Sequence, residues 1–491
     1  LFNQFVWELY LKSGGKDVVD RFKRDLTSEF SKEYACFIKG LHSAYCPNTL
    51  LVDDEYSQLI ELMSTYNEGE TEENGVEQLS FDELIDVIKT ENTNTVDVFQ
   101  IFIESMPYYT TLLAICSPEL FIPYYYTENF NVVQKIADTF EINMPEIPSK
   151  SDYEERLRYY EKICNVLHEF RKGNGWSSFE LYAFLYDFAP KYIGGISSYI
   201  IEDLPMPKGA FLIGGSKDNP YLSANSITLW QCSPDTAPGD MIVMYYRYPI
   251  SAVVSVWRSC SVGFVDPFFF YYRCTYLCSP EKIDQITIDE LRKDQILGAM
   301  PIVRKNMQGV NGVELRPSEY NRLLDLGHSK AIKLEYTAVS SDKEYSTEKE
   351  VEEKVIKPLI EKIGYKATDY VQQLYLEIGN HNHALIPDFV LLPEIKGSNK
   401  KAKAFAVIEA KRSITTTKEL NDANIQVRSY AKLLGAKYAI IVSQEKVWVY
   451  SSNSDYDTEV FSCTISELAG DRLYELRRII GKTNGTPIGM P

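Results

Sequence analysis

The sequence predicts a multidomain α+β protein: a helical N-terminal region, a small β-barrel middle domain, and a C-terminal α/β domain built on a central mixed sheet. Three observations predict it. Residues 1–205 place apolar side chains at helical spacing and hold few alternating runs. From about residue 208, short aromatic and β-branched runs follow one another between Pro, Gly and Asp. From residue 347, helix-spaced and strand-length runs alternate, the pattern of a sheet covered by helices. With 491 residues the chain has room for two to four domains, each with its own core. The divisions expected are 1–205, 206–330, a linker over 331–346, 347–482, and a tail over 483–491.

In the first region, SFDELIDVI offers a capping box, Ser80 to Glu83, ahead of an apolar stripe, and SDYEERLRYYEKICNVLHEF is helix-spaced throughout. YNEGETEENG, residues 66–75, reads as a solvated acidic loop, and the aromatics of FIPYYYTENF read as core. In the middle domain AFLIGG, SITLWQC, MIVMYYRY, AVVSVW and FFFYYRCTYL read as strands, closed by the helical PSEYNRLLDL near Leu326. His328 to Thr347 reads as a linker or a connecting strand. In the last domain TEKEVEEKVIKPLIEKIG predicts a helix, and YVQQLYLEI, IPDFVLL and AFAVIEAK predict three strands. ELNDANIQVRSYAKLLG predicts a helix, YAIIVS and KVWVYS two strands, and a terminal helix follows. The chain shows no internal repeat.

Apolar residues make up 45% and charged residues 24%, an ordinary balance for a soluble globular protein. Apolar runs are strand-length, well short of the roughly 18 residues of a membrane span. No charged-then-apolar leader opens the chain, so no secretory signal is expected. The nine cysteines form no CxxC pair, the closest being Cys274 and Cys278, so reduced thiols in a cytoplasmic protein are expected. The five histidines lack zinc-site spacing, which argues against a structural zinc. The net charge of −18 is unevenly placed. Residues 1–205 hold 16 Lys and Arg against 35 Asp and Glu, residues 206–346 hold 15 against 15, and residues 347–491 hold 20 against 19. That acidity argues against a non-specific nucleic-acid coat but not against a local site.

The stretch from Leu385 to Ser413 carries the chemistry. In IPDFVLL the alternation sets Asp388 on one face, and in AFAVIEAK Glu409 and Lys411, two apart, share a face. Paired as a hairpin, the two strands bring all three side chains together. Carboxylates at that distance repel and raise a pKa unless a divalent cation neutralises them. Oxygen ligands suit Mg2+, with Mn2+ as a substitute. A neighbouring lysine can orient or help deprotonate the attacking water and offset charge on phosphate. The combination points to metal-assisted phosphodiester hydrolysis; a salt-bridge network or a decayed site is the bland alternative.

Pro387-Asp388 followed by Glu409-Ala410-Lys411 resembles the PD-(D/E)XK nuclease superfamily. Two flanking features sharpen the resemblance. Gln426-Val-Arg-Ser-Tyr430 is similar to the QxxxY helix of nucleases related to the N-terminal domain of type I restriction motor subunits. TEKEVEEKVIKPLIEKIGY is similar to that group's opening helix, and the whole resemblance spans about residues 345–452. It implies Asp388, Glu409 and the Ala410 carbonyl as Mg2+ ligands, and Lys411 at the water. It implies Glu348 as the opening-helix acid, with Glu352 one turn on as the other choice, and Gln426 and Tyr430 at the substrate phosphate. Between the motifs lies a basic hairpin tip whose Lys396, Lys400, Lys401 and Lys403 meet either the DNA backbone or water. His381 and His383 read as loop residues just upstream. No GxxxxGK[ST] is present, so no nucleotide cofactor is expected in this chain and translocation would need a motor partner.

PGDMIVMYYRYPISAVVSVW, with its Pro238-Gly239-Asp240 turn and aromatic strands, resembles the PUA-like superfold and its EVE- and YTH-type readers of modified bases, over roughly residues 208–327. The resemblance implies a base flipped into an aromatic pocket. Ring candidates are Trp230, Tyr245, Tyr246, Trp257 and Phe264, each also readable as core. Polar candidates are Asp266, Asn306, Gln308 and Asn311. Gly309 and Gly312 permit a tight loop whose N–H groups, with Arg304 and Lys305 beside them, would meet phosphate.

The expectation is therefore a modification-dependent DNA restriction endonuclease of phage defence, reading a cytosine derivative and cutting with Mg2+. It is expected to be a homodimer, because one such site cuts one strand. The alternatives are a nuclease acting on RNA or unmodified DNA, and a non-catalytic nucleic-acid-binding subunit of a larger complex.

Overall fold

The computed structural model describes residues 3–27, 80–89, 94–194, 202–219, 227–339, 344–378, 383–394 and 402–482. The acidic loop expected at 66–75 lies outside them. The chain is mixed α+β and divides into two compact units, Leu1–Arg292 with Pro301–Glu314, and Lys293–Met300 with Leu315–Pro491.

In the first unit helices and a sheet share contacts, so the division expected at residue 205 falls inside it. The Ser80–Glu83 capping box forms, with Ser80 N donating to Glu83 at 2.7 Å and Glu83 N to Ser80 Oγ at 3.2 Å. Asp152 caps the long helix α1 (Tyr153–Asn174), which ends at left-handed Gly175. The buried face of α1 packs with the sealed rings of Tyr124, Tyr125 and Tyr126, as the sequence predicts for those aromatics.

The sheet of this unit holds β1 (Ala210–Gly215), β2 (Thr228–Gln231), β3 (Met241–Tyr246), β4 (Ala252–Ser259), β5 (Phe264–Val265), β6 (Arg273–Thr287) and β7 (Asn311–Leu315). Their order is β2-β6-β4-β3-β1-β7, with β5 beside β6; β1 and β3 are parallel, and β3, β4, β6 and β2 pair antiparallel. The sheet curls into a half-barrel. Trp230 Nε1 and Gln231 Nε2 on β2 both donate to Gly214 O on β1, at 2.8 and 2.9 Å. A Cβ at Gly312 on β7 would lie 2.2 Å from Ser233 N, so the two ends of the sheet meet there and only glycine fits. FFFYYRCTYL becomes a strand only from Arg273, because the chain turns back before it, with Asp266 N bonded to Tyr272 O at 2.9 Å. β6 then runs on through PEKIDQIT, past bulges in its pairing with β4.

Arg156 of α1 fastens helices to sheet. It is fully buried, and its guanidinium donates to Pro267 O at 2.9 Å, Phe269 O at 2.7 Å and Lys150 O at 3.0 Å while lying over the Phe99 ring. Phe268, from the same loop, packs into the helical core.

The second unit centres on β8 (Tyr370–Gln372), β11 (Phe389–Leu391), β12 (Ala406–Ala410), β13 (Tyr438–Val442), β14 (Lys446–Ser451) and β15 (Glu459–Thr464), while β9 (Leu376–Ile378) and β10 (His383–Leu385) form a separate antiparallel pair. The order is β15-β14-β13-β12-β11-β8, with β12 and β13 parallel and the other neighbours antiparallel. Helix α2 (Pro317–Leu326), expected to close the middle domain, belongs to this unit instead: Ser318 N and Oγ both donate to the Asp471 carboxylate, at 3.0 and 2.6 Å. The opening helix consists of Glu348–Val351, a π turn Glu352–Ile356, and Lys357–Lys362 (together α3), capped by Thr347. Pro358 has no N–H for the α-type ladder, and Lys357 N–H bonds back five residues to Glu352 O. α3 lines one face of the sheet with Val351 and Val355 against Phe389, Ile408 and Ile440. α4 (Thr417–Leu433) lines the other with Val427 and Ala431 against Val390, Val407 and Ile441. α5 (Gly470–Ile480) joins α3 on its face through Leu473 and Leu476.

Three readings change. YVQQLYLEI breaks in two at Gln373, which sits at φ 50° and donates its N–H to Asp388 O at 2.9 Å. β15 buries only Phe461 and Cys463, too short an alternation to stand out in sequence. The stretch expected as a linker is packed down by Leu334, Val339 and Tyr345, all buried.

Replacing Arg156 with Ala leaves three backbone carbonyls without their donor and a void beneath Phe99. Urea unfolding of the first unit should lose about 3 kcal/mol; an unchanged midpoint would show that the clasp contributes nothing.

Candidate functional site

β11 and β12 pair with Phe389 opposite Ile408 and Val390 opposite Val407, so Asp388 and Glu409 stand across from each other one step on. Phe389 and Ile408 turn toward α3, so Asp388 and Glu409 share the opposite face with Val390 and Val407. Alternation alone thus delivers the charges of the hairpin to one place. Asp388 Oδ2 accepts from Ala410 N at 2.7 Å, and Lys411 Nζ donates to Glu409 Oε1 at 2.6 Å. Glu409 is 2% exposed, and its Oε2 has no hydrogen-bond partner.

The electrostatics follow from that burial. Desolvation lifts the Glu409 carboxyl to about 7, with the Asp388 and Glu348 charges adding and Lys411 opposing. Asp388 is raised too, first by burial and then by Glu348, against the Ala410 N–H and the Lys411 ammonium. Glu352 is raised by burial and by the charges of Asp388, Glu353 and Glu348. Both opening-helix acids are therefore felt: Glu348 acts on Asp388, Glu409 and Lys411, and Glu352 couples to Asp388. Burial pulls Lys411 down, but its bonded Glu409, with Glu348 and Asp388, outweighs this and holds the ammonium above its ordinary value. At neutral pH Lys411 is a cation that offsets charge, not a free amine that takes a proton from water.

Among the described residues, no three His, Cys, Asp or Glu side chains are grouped to hold a metal ion. The donor set in question is smaller, two carboxylates and a backbone carbonyl: Asp388, Glu409 and Ala410. All three donors are hard oxygens, and Glu409 Oε2 is a buried acceptor with nothing to satisfy it, so the residues fit Mg2+ or Mn2+.

Gln426 and Tyr430 share a face of α4, Gln426 Nε2 donating to Tyr430 OH at 3.0 Å, and α4 packs across β12 and β13. Lys403 is exposed, its backbone bridged to Glu394. Lys396, Lys400, Lys401, His381 and the His383 side chain lie outside the described residues. One residue escaped the sequence reading: Glu445, in the SQE turn between β13 and β14, gathers the chain that leaves Lys411. Its signal, a serine and a carboxylate in a short turn, is common in sequences.

The candidate base pocket of the half-barrel separates into core and rim. Trp257, 1% exposed, packs in the sheet core and donates Nε1 to Ser255 Oγ at 2.9 Å. Tyr245 and Phe264 are buried as well, and Asp266 is fully enclosed with Phe268 N bonded to its Oδ1 at 2.8 Å. These four offer no open wall for a base: packing takes the rings, and the Asp266–Tyr272 turn closes over the carboxyl. Trp230 and Tyr246 stay half-buried at the margin of that core. Arg304, Lys305, Asn306 and Gln308 are exposed, with Asn306 accepting from Arg292. Asn306, Met307, Gly309 and Gly312 all take positive φ, which makes the tight loop the glycines predict. Asn311 Oδ1 is buried without a hydrogen-bond partner.

Because Glu409 has a higher pKa folded than unfolded, the unfolded chain releases its proton first as pH rises. Stability is therefore lost between about pH 4.5 and about 7. Glu409→Gln should remove that slope: the difference between the two stability profiles should change by about 2–3 kcal/mol across the window. Urea titrations of both chains from acid to mildly alkaline pH read it directly, and parallel profiles would contradict it.

No family model matches the chain, and no curated protein matches it significantly. A solved structure, the NMR structure of Rpa0253 from Rhodopseudomonas palustris, is similar over 24% of this chain and 93% of its own, at 12% identity and a TM-score of 0.22. A likeness so slight assigns neither fold nor function.

Proposed function

We propose that the chain is a metal-dependent endonuclease whose second unit hydrolyses DNA phosphodiesters. The observation that carries this reading is the cluster on adjoining strands: Asp388 opposite Glu409, Lys411 bonded to Glu409, and one buried carboxylate oxygen left unsatisfied. A sheet built for stability alone gains nothing from such a group, since apolar side chains of like volume pack there at no desolvation cost. Asp388, Glu409 and the Ala410 carbonyl would hold Mg2+, or Mn2+ in its place, which when bound polarises the phosphodiester and makes water more acidic. Lys411 supplies positive charge toward the phosphorane as it forms. Glu348 and Glu352 add negative potential that favours a cation between the strands. Gln426 and Tyr430 offer an amide and a hydroxyl to orient the phosphate.

The half-barrel is the proposed reader of a modified base in duplex DNA, a cytosine derivative. Trp230 and Tyr246 serve as rings, Gln308 and Asn311 as polar partners, and Arg304 and Lys305 as backbone contacts. Cutting both strands calls for two such sites, hence a homodimer, acting in the cytoplasm against phage DNA; a motor, if used, is a separate protein. The enclosure of Trp257, Tyr245, Phe264 and Asp266 favours a second reading, in which the same nuclease acts on RNA or on unmodified DNA.

Digestion of phage genomes with different base modifications, plain duplex and RNA, with Mg2+ or Mn2+, separates these substrates. Asp388→Ala and Lys411→Ala should each lower cleavage by at least about 100-fold while leaving binding intact. Cleavage at the parent rate by both variants would sink the site assignment. Trp230→Ala should erode discrimination between modified and plain duplex more than it slows cleavage of a permissive substrate, in a competition digest.

A further inference from the structure

The turn Ser443-Gln444-Glu445 bonds to more than its two strands require. Glu445 takes four donors: Ser413 Oγ at 2.5 Å and Gln444 Nε2 at 3.0 Å on Oε1, Ser443 Oγ at 2.6 Å and Ile414 N at 3.2 Å on Oε2. Ser443 is fully buried, and its Oγ accepts from Glu445 N at 3.1 Å and Lys446 N at 3.2 Å, which stiffens the turn from inside. Gln444 N donates to Arg412 O at 3.3 Å, and Gln444 Oε1 accepts from Tyr345 N at 2.8 Å.

Two segments converge on this turn. One is Arg412–Ile414, which follows Lys411; Lys411 N is itself tied to Val442 O at 2.9 Å. The other is Tyr345, buried against the sheet, two residues before the Thr347 cap and three before Glu348. Ser346 N, between them, bonds Glu350 at 2.7 Å, so little slack remains between Tyr345 and the start of α3.

We infer that Gln444 and Glu445 are positioning residues, which hold the chain ends bearing Lys411 and Glu348 in one rigid bracket. The inference rests on the nuclease reading. A carboxylate suits the central place because its oxygens accept four hydrogen bonds, whereas an amide would turn a donor toward two of the donors already there. Misplacing a catalytic charge by about 1 Å costs on the order of 100-fold in rate, so such a bracket acts on turnover more than on affinity.

The test compares the full chain with Glu445→Ala, Glu445→Asp and Gln444→Ala in three measurements: amide exchange by mass spectrometry, the urea midpoint, and kcat and KM for Mn2+-dependent cleavage of a labelled duplex. Exchange should quicken around Ile414 in Glu445→Ala and around Tyr345 in Gln444→Ala. In both, kcat should fall about 10- to 100-fold with KM and midpoint nearly unchanged, and Glu445→Asp should recover part of the loss. Unchanged kcat in an active chain, or kcat and midpoint falling in step without rescue by Asp, overturns the inference. A parent chain that shows no metal-dependent cleavage overturns the nuclease reading and, with it, the catalytic role of the bracket; unchanged exchange overturns the bracket itself, whatever the activity.

Discussion

A carboxyl group walled into a sheet, with one ammonium beside it, sets the terms for the C-terminal unit. Glu409 sits between strands that are otherwise apolar, and its carboxyl accepts from the Lys411 ammonium. Everything around it has to hold that pair in place. The β11–β12 register must be the observed one, because a slip of β11 by a single residue would send Asp388 to the α3 face, away from Glu409 and Lys411, and bring Phe389 out of it. β13 must run parallel to β12 so that Val442 O can catch Lys411 N where the strand ends. The apolar layers on the two faces enforce this, since each face matches a different helix.

The first unit solves the reverse problem with different means. Arg156 is a buried cation whose hydrogen bonds go to three backbone carbonyls, and the Asp266 carboxylate acts on it through space. Burial lowers its affinity for the proton, yet a guanidinium stays charged in any case. Its planar fork serves three acceptors at once, one on its own approach loop and two on the loop after β5. The helical region and the half-barrel consequently share a polar clasp as well as an apolar seam.

Much of this was legible in the sequence, and the failures have physical causes. Elements with a strong local signal came through: the Ser80–Glu83 box, the helix begun by Asp152, PSEYNRLLDL, and the strands AFLIGG and YAIIVS. So did the meeting of Asp388, Glu409 and Lys411, because a period of two needs no tertiary information. What failed depended on partners far along the chain. Gln373 breaks a strand because Asp388 O lies where its N–H can reach it, and α2 joins the second unit because Ser318 meets Asp471. The aromatic strands could not reveal which rings face inward, and Trp257 went to the core while Trp230 stayed at the margin. Glu445 was invisible for the same reason: two of its four donors, Ser413 and Ile414, come from a segment some thirty residues upstream.

The π turn in α3 has a consequence for how this helix can change over time. Each residue in an α-helix advances the chain by about 100° around the axis, and a π turn absorbs one extra residue without lengthening the core-facing stripe. Here the extra residue lies between Glu348 and the segment that Leu359 and Ile360 anchor against the sheet. Deleting one residue from Glu352 to Ile356 would let the π turn relax to a regular α turn, with that anchor seated and Glu348 kept on its own face. The N-terminal turn of α3 thus keeps its phase across a single-residue insertion, and descendants that lost it would keep a sound helix and the aim of their first acid.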